Sequence, residues 1–129
     1  NVPIRLWRNV TSSLSFTSVR VQLVYNIQWG NICDDESFGI TEATVICHQL
    51  GYTGASSYSR ARDDLFGNDS LPTLLSNVSC STSSYLVILQ CSYDDTPPSS
   101  CTLNDHVSVT CCELYYVIVD YSAIIHVCD

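Results

Sequence analysis

The sequence contains no lysine and no methionine, and its only basic side chains besides three histidines are five arginines. Thirteen acidic residues leave a formal net charge of −8 at pH 7. A surface of that charge repels a phosphate backbone, so a nucleic-acid partner is not expected. Charged residues make up only 14% of the 129 residues and hydrophobic residues 46%, which predicts one small domain with a modest core.

Long apolar runs and short catalytic motifs are also missing. No run reaches the ~18 residues of a membrane span, and the chain does not begin with the pattern of a signal peptide. We therefore expect a mature, soluble segment that does not insert into a membrane. No Gly-x-Ser-x-Gly motif, metalloprotease helix or phosphate-binding glycine loop occurs, so the sequence predicts a binding module and not an enzyme.

Cysteine, by contrast, is abundant, with eight in the chain. So many cysteines in so small a domain indicate an exported, oxidised protein whose disulfides are structural. Three N-glycosylation triplets, which begin at Asn9, Asn68 and Asn77, agree with that compartment. The expected location is extracellular, either as a secreted glycoprotein or as the ectodomain of a cell-surface protein.

Hydrophobic periodicity predicts an α+β domain. Alternation of apolar and polar residues predicts strands, one of which follows a turn at 26–28. These strands cover residues 4–8, 19–25, 29–33 and 107–111.

Apolar residues at helical spacing predict one helix over residues 41–50, with Thr41 as its N-cap and Gly51 as its C-terminal stop. Residues 51–71 are rich in glycine, serine and aspartate, which predicts a long surface loop. Residues 84–91 fit either a short helix or a buried strand. The apolar segment 114–127 favours two further strands or one bent strand.

Three segments, in order, resemble the scavenger receptor cysteine-rich (SRCR) domain family: residues 28–35, 43–52 and 75–80. The first carries Trp29-Gly30 ahead of Cys33-Asp34-Asp35, and the second ends in Gln-Leu-Gly. The resemblance covers residues 4–111 and implies a curved, mainly antiparallel sheet that cradles one helix, with long loops. We accordingly predict an SRCR domain over residues 1–111 and a β-rich extension of the same domain over 112–129.

The resemblance also implies three disulfides, typical of the six-cysteine subgroup. These are Cys33 with Cys101, Cys47 with Cys111, and Cys80 with Cys91. Two further cysteines, Cys112 and Cys128, have no place in the family pattern. Our interpretation is a fourth intrachain bridge between them, and the alternatives are an interchain bridge or a free thiol.

Many SRCR domains have an acidic cation site, and the resemblance assigns it here to Asp34, Asp35 and Asp105. Three carboxylates would suit a hard cation such as Ca²⁺. The alternative is that Asp34 and Asp35 cap a turn and accept backbone N–H groups.

Two further sets of residues are weaker candidates for a role in binding. Ser76, Asn77 and the pair Asp63-Asp64 form a candidate for a second cation site, with which a glycan on Asn77 would compete. Arg60 and Arg62 are candidate ligand contacts, although two arginines are more often ordinary solvated charges.

The leading hypothesis is an extracellular, scavenger-receptor-like module that recognises a polyanionic, glycan or protein ligand, including microbial polymers of interest to innate immunity. The alternative is a structural protein that assembles into a homo-oligomer or fibre through the β-prone residues 113–127. A third hypothesis is an accessory module of a larger extracellular enzyme.

Overall fold

The computed structural model describes residues 4–7, 19–61, 70–102 and 105–112. Within these ranges the chain forms seven β-strands, one α-helix and one short 3-10 helix over Ile88–Gln90. None of the helices described is long and apolar enough to cross a membrane. In chain order the elements are β1 Ile4–Trp7, β2 Val19–Tyr25, β3 Gln28–Ile32, α1 Ile40–Gln49, β4 Gly54–Ala61, β5 Thr73–Ser79, β6 Ser92–Asp94 and β7 His106–Cys112.

The strands form one sheet in the order β4-β7-β2-β3-β5-β6, and β1 pairs with β2. All pairings are antiparallel except that of β3 with β5, which is parallel. The domain is therefore α+β, as predicted, with a mainly antiparallel but mixed sheet. The parallel pair brings the end of β3 beside β5, where the candidate site lies.

The core is built from alternate residues of the central strands and from one face of α1. Val21 and Leu23 of β2 and Val107 and Val109 of β7 are completely buried. Because side chains two apart on a strand share a face, these four residues form one apolar surface. The helix contributes to the same cluster with Ala43, Val45, Ile46 and Cys47.

The neighbouring positions on β2 and β7 are polar and equally buried. Arg20 is fully buried, and its guanidinium donates a hydrogen bond of 2.9 Å to Nδ1 of His106. Since arginine can only donate, Nδ1 accepts, and the Nε2–H of the neutral imidazole donates to the Thr73 hydroxyl at 2.6 Å. This chain of hydrogen bonds joins β2, β7 and β5.

The Trp29-Gly30 motif is explained by contacts of β3 with β1 and with the neighbouring strand β5. The guanidinium carbon of Arg5 on β1 lies 3.7 Å from the centre of the Trp29 ring, which is a cation–π contact. At Gly30, a side chain would collide with Leu74 and with the carbonyl of Pro72. Glycine is therefore required for the parallel approach of β5.

The helix was predicted within one residue at each end, but its N-terminal cap was predicted wrongly. The N-cap is Gly39, not Thr41, and the carboxylate of Glu42 accepts the Gly39 N–H at 2.8 Å. The C-terminal stop at Gly51 is as predicted, with a φ of 94°. The N–H groups of Gly51 and Tyr52 bond to the carbonyls of His48 and Cys47, which is a Schellman motif.

The prediction of one long loop over residues 51–71 was wrong. Residues 54–61 form β4, which pairs with β7 from Gly54 opposite Cys112 to Ala61 opposite His106. The serine-rich sequence has no apolar alternation, and it forms a strand because its backbone pairs with β7. Residues 62–69 lie outside the described ranges.

The remaining segments complete the comparison with the sequence predictions. Strands β5 and β6 were not predicted at all, and the ambiguous segment 84–91 contains neither a strand nor an α-helix. It is irregular apart from the 3-10 helix, whose Ile88 is fully buried. The strands predicted over 114–127 lie outside the described residues and stay predictions.

Three disulfides join described cysteines, in the pairs that the family resemblance implied. They link Cys33 to Cys101, Cys47 to Cys111 and Cys80 to Cys91. Cys112 is buried, with 1% of its surface exposed. Its predicted partner Cys128 lies outside the described residues, so that bridge stays a prediction.

Removal of the Glu42 carboxylate should destabilise the domain. Besides the Gly39 N–H it accepts the N–H of Cys80 at 2.8 Å in a buried setting. Glu42→Ala leaves both donors without a charged acceptor, so the free energy of unfolding should fall by about 3 kcal/mol. Glu42→Gln, which keeps one acceptor oxygen, should recover part of the lost free energy of unfolding. Urea unfolding with the disulfides intact measures the change, and Glu36→Ala, an exposed carboxylate, is the control. Equal stability of Glu42→Ala and the wild type would contradict this account.

The tip of the β2–β3 hairpin should become more stable when Ile27 is replaced by glycine. Asn26 and Ile27 have φ values of 52° and 67°, and Ile27 is 99% exposed. A left-handed conformation costs a β-branched residue about 1–2 kcal/mol, whereas asparagine and glycine tolerate it. After the entropic cost of glycine, Ile27→Gly should raise the free energy of unfolding by about 0.5–1 kcal/mol. Asn26→Gly should gain less in the same unfolding measurement, and a loss of stability in Ile27→Gly would refute the argument.

Candidate functional site

An open cleft of about 380 Å³ lies where β3 ends, beside β5 and the residue that precedes β7. Four carboxylate residues line it: Asp34, Asp35, Glu36 and Asp105. Ser76, Asn77 and the Cys33–Cys101 disulfide form other parts of the wall. All three residues assigned to a cation site from the sequence therefore face the same cleft.

Main-chain contacts bring Asp34 and Asp105 together from distant parts of the sequence. Cys33 forms an isolated antiparallel bridge with His106, and the N–H of Asp34 donates to the carbonyl of Asp105 at 2.6 Å. The disulfide from Cys33 to Cys101 holds the segment before β7 at the same place. The positions of both aspartates are thus set by the backbone.

Asp35 is held by two backbone hydrogen bonds. Its Oδ1 accepts the N–H of Ser37 at 3.1 Å, and its Oδ2 accepts the N–H of Asn77 at 2.7 Å. The first bond closes a turn, which is the role that the sequence left open as the alternative. The second ties this turn to β5. Because each carboxylate oxygen has two lone pairs, each keeps one after these bonds.

Asp105 also closes a turn with its own side chain. Its Oδ2 accepts both the N–H and the hydroxyl of Thr102, each at 3.0 Å. Two donors on one oxygen fix the orientation of the carboxylate. The side chain is therefore pre-organised at the rim of the cleft.

Asn77 is an irregular position in the β5 wall of the cleft. Its φ of 50° lies in the left-handed region, and the pairing of β5 with β6 shifts in register between Ser76 and Ser79. The exposed side chain donates from Nδ2 to Oδ2 of Asp94 on β6 at 2.6 Å. Sequence reasoning did not connect Asp94 with the cleft, because the contact depends on the register of two unpredicted strands.

A second contact with β6 involves Tyr25 at the end of β2. Its hydroxyl donates to Oδ2 of Asp95 at 3.0 Å, and its ring packs edge-on against Tyr93 with 5.7 Å between centroids. Interactions with Tyr93 and then with Asp95 raise the pKa of Tyr25 to about 12. The phenol therefore stays protonated and keeps donating to Asp95 at physiological pH.

The cleft has donors of the right type for a hard cation but no preformed cage. Carboxylate and amide oxygens are the ligands that Ca²⁺ prefers. Within the described ranges, however, no group of three or more His, Cys, Asp or Glu residues has the arrangement of a metal site. Asp34, Asp35 and Asp105 share the cleft without converging on one point.

Several residues singled out from the sequence are only partly described. Arg60 lies on β4 with its backbone opposite Val107, but its side chain and the whole of Arg62 lie outside the description. Asp63 and Asp64 of the candidate second cation site also lie outside the described residues. Of the three glycosylation asparagines only Asn77 is described, and Asn9 and Asn68 are not.

Comparison with known proteins identifies the fold. Residues 12–112 match the family model described as scavenger receptor cysteine-rich domain. The chain is 38% identical over 93 residues to lysyl oxidase homolog 4 of Bos taurus, an alignment that covers 71% of this chain and 12% of the relative. The chain thus spans only about an eighth of the length of the curated relatives it matches.

Solved structures give the same result. The third SRCR domain of murine neurotrypsin superposes with a TM-score of 0.64 at 30% identity, covering 86% of this chain and 96% of that domain. The SRCR domain of mouse MARCO, in its dimeric form, gives a TM-score of 0.61 at 30% identity, covering 73% of this chain and 85% of that one. With the family model, these likenesses show that the chain belongs to the scavenger receptor cysteine-rich domain family.

Proposed function

We propose that the chain is an extracellular ligand-binding module that binds Ca²⁺ in the carboxylate cleft and uses the ion to hold an anionic group of its ligand. The observation that carries the proposal is the gathering of Asp34, Asp35 and Asp105 in one cleft by backbone contacts. Eight cysteines, of which six form the three described disulfides, support an oxidising, extracellular location.

The charge of the chain explains why a cation would be needed. At a formal net charge of −8 the surface repels anions. A divalent ion among the aspartates inverts the local sign and supplies the strongest positive charge in the cleft. The ligand classes that suit this arrangement are sulfated or phosphorylated polymers, acidic glycans and acidic protein segments.

The residues of the chain have distinct parts in this function. Asp35 and Asp105 are oriented by the N–H groups of Ser37, Asn77 and Thr102, so little side-chain entropy is lost when they ligate an ion. Asp34 follows directly from the Cys33 bridge and is placed by its backbone.

The parent protein is proposed to be larger than this chain. The curated relatives are lysyl oxidase homologs, and the alignment occupies only 12% of their length. We infer that the chain is one module of an extracellular protein, in which any catalysis belongs to another part. The contribution of this chain is to bind the ligand.

A second candidate function is assembly of several copies. The matching MARCO domain was solved in a dimeric form, and residues 113–127 are apolar and β-prone. If this tail pairs with a second copy, sedimentation at micromolar concentration should show a dimer or larger species. A monomer at that concentration would rule this function out.

Calcium titration by calorimetry tests the main proposal. The full chain is refolded from bacteria, which add no N-glycan, and we expect saturable binding of about one ion. Asp34→Asn with Asp105→Asn removes two ligand charges and should weaken binding at least tenfold, because Ca²⁺ affinity depends on the number of ligand charges. Asp95→Asn, a carboxylate outside the cleft, is the matched control.

The same experiment can overturn the proposal. Absence of binding by the wild type up to millimolar Ca²⁺ would leave the three carboxylates with their turn-closing roles alone. Equal binding by the wild type and by the double variant would place the ion elsewhere. Thermal unfolding without Ca²⁺ checks that each variant is folded.

A further inference from the structure

One motif of the sequence, the glycosylation triplet Asn77-Val78-Ser79, coincides with the wall of the cleft. Asn77 lines the cleft directly, and its backbone N–H is bonded to Asp35, a proposed ligand of the cation. Its side-chain amide is exposed and accessible, and Nδ2 is the atom to which an N-glycan would be attached. A glycan attached here would therefore extend from the wall of the proposed binding site.

The backbone at Asn77 determines where such a glycan would project. Ser76 and Val78 on either side are buried, with 2% and 1% of their surfaces exposed. The left-handed φ of 50° turns the Asn77 side chain outward between them, beside β6 and Asp94. Because a substituted amide keeps one N–H, it can still donate to Asp94. The fold can therefore accommodate the modified residue.

We propose that Asn77 carries an N-linked oligosaccharide and that its presence closes the cleft to large anionic ligands while leaving the small cation free to enter. The inference rests on the proposed function, since it concerns access to the same site. The cleft, at about 380 Å³, is only as large as a small-ligand pocket. A flexible chain of several sugars attached to its wall occupies the space that a polymer needs.

The modification itself is an ordinary transfer from a lipid-linked oligosaccharide diphosphate. A bond forms between Nδ2 of Asn77 and C1 of the first sugar while the bond from C1 to the diphosphate oxygen breaks. The amide nitrogen loses one proton, and the lipid diphosphate leaves. The glycosylated and unglycosylated chains are then two forms of one module, one closed and one open to polymers.

The test compares the wild type with two variants of the full chain, all secreted from animal cells. Ser79→Ala abolishes the triplet but keeps the Asn77 amide and its bonds to Asp35 and Asp94, and Ser79 is exposed. Thr11→Ala, which abolishes the Asn9 triplet, is the matched control for loss of a glycan elsewhere. Peptide mass mapping gives the occupancy of Asn77. Calorimetry measures Ca²⁺ binding, and a sulfated dextran in the presence of Ca²⁺ serves as the large anion.

We expect Asn77 to be occupied in the wild type and Ca²⁺ binding to be similar in all three proteins. Sulfated dextran should bind Ser79→Ala at least tenfold more tightly than the wild type, and Thr11→Ala should behave as the wild type does. An unmodified Asn77, equal dextran binding by wild type and Ser79→Ala, or no dextran binding by either overturns the inference. Loss of Ca²⁺ binding from every form would instead overturn the proposed function, so the two failures are distinguishable.

Discussion

A guanidinium group with no exposure to solvent sets the condition that the rest of the fold has to meet. Arg20 is fully buried, and a buried charge is tolerated only with hydrogen-bond acceptors around it. His106 supplies one such acceptor as a neutral imidazole, and the Thr73 hydroxyl accepts from the other side of the ring. The three residues come from β2, β7 and β5, so two linked hydrogen bonds tie three strands together. The carboxylate cleft begins at the neighbours of His106, namely Asp105 before it and Cys33 across from it.

In the cleft, a structural role and the proposed binding role fall on the same side chains. The side chains of Asp35 and Asp105 close turns, and both residues also line the cleft. The alternatives considered from the sequence, turn caps or cation ligands, are therefore compatible in one residue. An aspartate that already accepts backbone N–H groups is held in place at no further entropic cost, which is the arrangement that favours binding of an ion from water.

The parts of this molecule that sequence predicts are those whose signal is local. Strand β2 alternates apolar and polar residues, α1 has a helical period, and Gly51 supplies a left-handed stop. Strand β4 has no such signal, because its serines are recruited by pairing with β7. The cap of α1 was misassigned since Thr41 is a better intrinsic cap than Gly39, and only Glu42 reveals the true start. The disulfides and the set of Asp34, Asp35 and Asp105 came from family resemblance, and the contact of Asn77 with Asp94 depends on cross-strand register, which no local pattern encodes.

The Glu42 carboxylate has a consequence for the motions of the domain. With one oxygen on the start of α1 and the other on Cys80, it joins two regions that the chain itself separates. If either region opens alone, one oxygen of the Glu42 carboxylate loses its hydrogen-bond donor. The first turn of the helix and the small loop closed by Cys80 and Cys91 therefore belong to one cooperative unit. In hydrogen exchange, the amides of Gly39 and Cys80 would then share one opening free energy, although they lie on different elements.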